Sequence, residues 1–78
     1  MARRIHVSAL GRSFEGPTPQ DKMSYQVVIS EGDRNVVVEA RISLGTLETL
    51  SDPEKRLEKW FDTRPLPQTN CVIDILSL

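Results

Sequence analysis

The stretch SYQVVISEGDRNVVVEARIS, residues 24–43, alternates apolar and polar side chains on both sides of Gly32-Asp33, and that alternation leaves few folds open. A period of two is the pattern of a strand with one face buried. A two-residue connection with glycine first suits a type II′ hairpin turn. Closing the hairpin there sets Ile29 against Val36, Val27 against Val38, Tyr25 against Ala40 and Met23 against Ile42, all on one face. The other face pairs Ser30 with Asn35, Val28 with Val37, Gln26 with Glu39 and Ser24 with Arg41, while Glu31 and Arg34 oppose each other across the turn. A slip of one residue would turn the buried row to water, so turn and alternation specify the same register.

RRIHVSAL supplies a further strand with Ile5, Val7 and Ala9 inward, and GRSFEGPTPQDK is expected to be a loop. After the hairpin, Ser43 can cap a short helix carrying Leu44, Leu47 and Leu50, which Gly45 weakens. In SDPEKRLEKWFDTRP, Ser51 and Glu54 have capping-box spacing, Asp52 is an alternative cap, and Pro53 suits the first turn. Leu57, Trp60 and Phe61 form the apolar stripe of that second helix, and Pro65 and Pro67 end it. CVIDILSL reads as a last strand with Cys71, Ile73 and Ile75 on one face and Val72, Asp74, Leu76 and Leu78 on the other. The expected fold is α+β, a small antiparallel sheet in β-β-β-α-α-β order with one or two helices packed on one face, forming a single domain over residues 1–78.

With 78 residues, the chain buries only about 60% of the surface its unfolded form exposes, so apolar positions are used sparingly. A net charge of −1 sets up no field that would attract nucleic acid or a membrane surface. The single cysteine, Cys71, excludes an internal disulfide and favours a reducing compartment, with the cytoplasm as the expectation. The opening MARRIHVSAL has too short an apolar run for a secretory signal. No segment approaches the roughly 20 apolar residues that cross a bilayer.

The side chains that could carry chemistry are sparse. A Cys71 nucleophile would need His6 as its base, whereas alternation with Ile73 and Ile75 marks Cys71 as a small core residue. One His and one Cys do not make a zinc shell. Glu54 and Glu58 share a helix face with nothing apolar between them, the mark of a solvated face. Gly11, Gly16, Gly32 and Gly45 are isolated, so no phosphate-cradling loop is present. Trp60 and Phe61 read as core anchors before they read as a ligand box. RPLPQTN resembles the start of an Arg-first proline-rich ligand, with Asn70 where the last proline would stand, and a helix stop explains it more simply. Arg3, Arg4, His6 and Arg12 could line a basic arm, without the aromatic interleaving of a nucleic-acid motif.

The hairpin, the ISLGTLETL segment and the helix containing LEKWF resemble small bacterial α+β families in which a hairpin precedes a leucine-rich helix. As a short chain without catalytic residues, it also resembles in type the phage-encoded anti-CRISPR inhibitors, one of which has a similar leucine–acid–tryptophan–phenylalanine helix. Those inhibitors share no motif, so the resemblance implies a mode of action, binding another protein, and assigns no residue roles. The expected function is therefore non-enzymatic binding of a protein partner, with inhibition of a larger bacterial complex as the outcome and no cofactor or metal. The expected contact residues are Gln26, Val28, Val37, Glu39 and Arg41 on the outward face, with Glu31, Asp33 and Arg34 at the turn. The alternative is a nucleic-acid accessory protein using Arg3, Arg4 and Arg12. An open sheet also leaves two edges at which a second copy of the chain could pair.

Overall fold

The computed structural model describes the backbone of residues 3–15, 18–76 and 78, and the side chains of 3–12, 21–76 and 78. The chain forms β1 (Arg3–Glu15), β2 (Thr18–Glu31), β3 (Arg34–Ser43), α1 (Leu44–Glu48), α2 (Pro53–Asp62) and β4 (Cys71–Ile75). One sheet carries all four strands in the order β1-β2-β3-β4. The β2–β3 register is the one the alternation predicts, from Met23–Ile42 to Glu31–Arg34. Gly32 has φ 62°, and among the described residues no other residue type takes a positive φ, so only the first turn position is left-handed, as a type II′ turn requires.

The sheet is mixed, which corrects the expectation of an antiparallel one. β4 lies parallel to β3, with Val38 beside Cys71 and Ile42 beside Ile75. Residues 44–70 separate these strands, and their two helices carry the chain back to the end of the sheet where β3 begins; a return of that kind makes a parallel neighbour. Three polar side chains strap the returning segment to the sheet. The Arg3 guanidinium donates through Nη1 to the carbonyls of Phe61 (2.8 Å) and Arg64 (2.6 Å). Arg34 Nη2 donates to the carbonyls of Pro67 (3.2 Å) and Gln68 (3.3 Å), and Asn70 Oδ1 accepts from the Val37 amide at 2.9 Å.

A second correction concerns the expected loop over residues 11–22. Residues 11–15 belong to β1 and 18–22 to β2, with the pairing shifted between Ala9 and Gly11 and again between Arg12 and Phe14. These irregularities break the clean alternation and disguise strand as loop. Gly11, with φ 117°, takes a backbone conformation that a side chain would strain. Gly16 and Pro17 lie outside the described residues.

The core is one cluster. Val27, Ile29, Val36, Val38, Ala40 and Ile42 from the hairpin join Val7, Tyr25 and Ile75 from the sheet and Leu57 and Phe61 from α2. Ala9 keeps the inward register, paired with the core residue Tyr25, but is left exposed at the sheet edge, while Leu78 packs against the core. Asp52 caps α2, its Oδ1 accepting from the Lys55 amide at 3.2 Å, in place of the Ser51 cap; with Pro53 as the first helical residue, Asp52 occupies the capping position. Ser43 caps α1, accepting from the Thr46 amide. α2 runs antiparallel to β1, because Arg3 reaches its C-terminal carbonyls while Glu54, in its first turn, acts on Tyr25, the partner of Ala9.

Candidate functional site

The sheet face away from the helices is built by alternation. Each inward apolar residue of β2 and β3 forces its neighbours outward, and strand pairing then lines those neighbours up across the sheet. One row runs His6–Val28–Val37, and the next runs Ser8–Gln26–Glu39–Val72. Val37 is 36% exposed and Val72 56% exposed, with Val28 half-buried between its neighbours. Around these valines several polar groups are paired: Ser30 Oγ donates to Asn35 Oδ1 at 2.7 Å, Arg41 Nε lies 3.1 Å from Glu39 Oε2, and Lys22 Nζ lies 3.4 Å from Asp74 Oδ1. Ser24, buried, sits between Gly11 and Arg41.

Five of the expected contact residues, Gln26, Val28, Val37, Glu39 and Arg41, are thus together on one face. Glu31 and Arg34 are not with them. They fall on the helix-bearing side, where Glu31 Oε2 accepts from Arg3 Nε (3.1 Å) and Nη2 (2.9 Å), and Arg34 holds the strap described above. The expected opposition across the turn is a backbone pairing, and each side chain turns to a longer-range partner. Asp33 is exposed at the turn itself. Val72 belongs to the surface and was missed; its outward position was apparent from alternation, but its place beside Glu39 depends on where β4 docks.

The other candidates are separated or occupied. His6 is on the outer face of β1 and Cys71 on the core-facing side of β4, and three strand spacings of about 4.8 Å lie between them. Among the described residues no group of three or more His, Cys, Asp or Glu gathers in a metal-binding arrangement. Residues 3–12 of the proposed basic arm are paired strand, with Arg3 drawn to the helix side and Arg4, His6 and Arg12 exposed. Phe61 is core and meets the Trp60 ring edge-on, 4.8 Å between centroids. The Arg64 guanidinium covers Trp60 at 3.7 Å, a cation–π contact that leaves only a shallow groove of about 210 Å³ beside Arg56, Lys59 and Leu78. No described helix is long and apolar enough to cross a membrane.

What the fold defines is a small α+β domain: a mixed four-stranded sheet with two helices and an uncovered face of mixed polarity. Comparison with protein-family models, with curated proteins and with solved structures returns no match.

Proposed function

We propose that this chain is a non-enzymatic binding module that engages a protein partner through the helix-free face of its sheet. The observation that carries the reading is the apolar step formed by Val28, Val37 and Val72, set among Gln26, Glu39 and Arg41. Apolar anchors inside a polar rim are the common anatomy of a specific interface. The valines anchor; the Glu39–Arg41 pair, held at 3.1 Å, offers both charges in a fixed arrangement that sets orientation. Similarity in type to anti-CRISPR proteins supports inhibition of a larger bacterial complex as the consequence of that binding.

The test is affinity capture from the source cell, comparing the native chain with a Val28→Asp, Glu39→Lys, Arg41→Glu variant and with a Glu48→Lys control. A partner retained by native chain and control and lost by the triple variant supports the assignment, provided circular dichroism shows all three folded. Equal capture by the folded triple variant sinks it. The nucleic-acid reading rests on Arg4 and Arg12 alone, since Arg3 is committed to Glu31 and α2. It calls for binding that weakens steeply with added salt.

A further inference from the structure

We propose that two copies of this chain join through the unpaired edge of β1, extending the sheet across the seam, with the two α2 helices antiparallel above it. β1 is an end strand of the sheet, so among the described residues its outer backbone groups have no strand to pair with, a template for another strand. From Arg3 to Ala9 its register with β2 is unbroken, and that stretch contains neither proline nor glycine. α2 packs against β1, and beside the two lies an open cleft of about 470 Å³ lined by Arg3, Ile5, Lys55, Glu58, Lys59 and Asp62. Ile5, on the core side of the sheet, is only partly covered there.

The charges on the outer flank of α2 identify the occupant. Lys55, Glu58, Lys59 and Asp62 alternate in sign along that flank, with like charges four residues apart and opposite charges three apart, so their effects on the isolated helix largely offset. None of the four makes an ion pair within the described residues. Read backwards, the order Lys-Glu-Lys-Asp is its own complement. A two-fold axis beside Ile5 sets Lys55 against the partner's Asp62 and Glu58 against the partner's Lys59, each contact occurring twice. The same axis places Ile5 against the partner's Ile5 and Arg4 across from the partner's His6, in an isologous contact. An unrelated peptide would have no reason to match that charge order; a second copy matches it by symmetry.

Sedimentation equilibrium of the full chain over a concentration series, at low salt, tests the proposal. A monomer–dimer equilibrium is expected. Glu58→Lys or Lys59→Glu alone should weaken it by about tenfold or more, since each reversal changes two symmetry-related contacts. The Glu58→Lys, Lys59→Glu double swap should restore it, which a general loss of folding cannot imitate. A chain that stays monomeric throughout overturns the proposal. So does a dimer indifferent to both single reversals, or one lost on Val72→Lys at the opposite edge of the sheet.

Discussion

Arg3 shows how much a single side chain can hold in a chain of this size. Its guanidinium meets Glu31 at the end of β2 and the carbonyls of Phe61 and Arg64 at the end of α2. A cation at a helix C-terminus also complements the partial negative charge of its free carbonyls. Arg3→Met, which keeps the stem and removes these bonds, should lower unfolding free energy by about 2 kcal/mol, the scale of hydrogen bonds to charged groups. Urea denaturation measures this, with Arg4→Met, exposed on the other face, expected to change stability by less than about 0.5 kcal/mol. Tyr25 gives a pH signature. Burial, and secondarily the Glu54 carboxylate, raise its phenol above the ordinary value, so between about pH 10, where the unfolded phenol ionises, and the higher folded value the unfolded state binds fewer protons. Stability then falls as pH rises through that window and is fully retained below it. Thermal unfolding followed upward from pH 9 should show this decline, and Tyr25→Phe should flatten the part of it due to Tyr25.

At the scale of elements, the turn and the helix cap are the points where local chemistry decides. Gly32→Ala should cost about 1–2 kcal/mol, because φ 62° places an added Cβ against the following carbonyl. Asp52→Ala should cost about 1 kcal/mol and Ser51→Ala almost nothing, since the Lys55 amide bonds to Asp52. Chemical denaturation of the pair would separate the two capping assignments; equal losses would overturn the one described here. The hairpin could be read from the chain because its turn, alternation and cross-strand partners all agree on one register, and the five outer-face residues followed from it. The β1–β2 extension could not be read, because the register shifts near Leu10 and Ser13 desynchronise the two strands, and an alternation count then finds no period. Glu31 and Arg34 face each other across the ladder at the turn, yet their side-chain partners are 28 and 33 residues away, a distance no local pattern encodes.

The whole molecule measures 40 × 28 × 17 Å, thin because one sheet has a helix layer on one side only. The direction of β4 was the largest thing hidden in the sequence: CVIDI alternates identically whether it runs up or down, and Arg3, Arg34 and Asn70 decide only once the returning segment is in place. That dependence predicts unequal stability across the sheet. β2 and β3 share ten paired positions, whereas β4 pairs at five and, among the described residues, pairs with no strand on its other edge. Its docking closes the long connection through both helices, an entropic cost that few contacts offset. Native-state hydrogen exchange should therefore find the β3–β4 amides opening at lower free energy than those of Val27, Ile29 and Val38, which exchange only on global unfolding. Arg34→Met should widen the gap by loosening the strap at Pro67 and Gln68 without touching the β2–β3 ladder. If β4 amides instead exchange at the global free energy in both proteins, the sheet unfolds as one unit, and the last strand is held by something other than the strap.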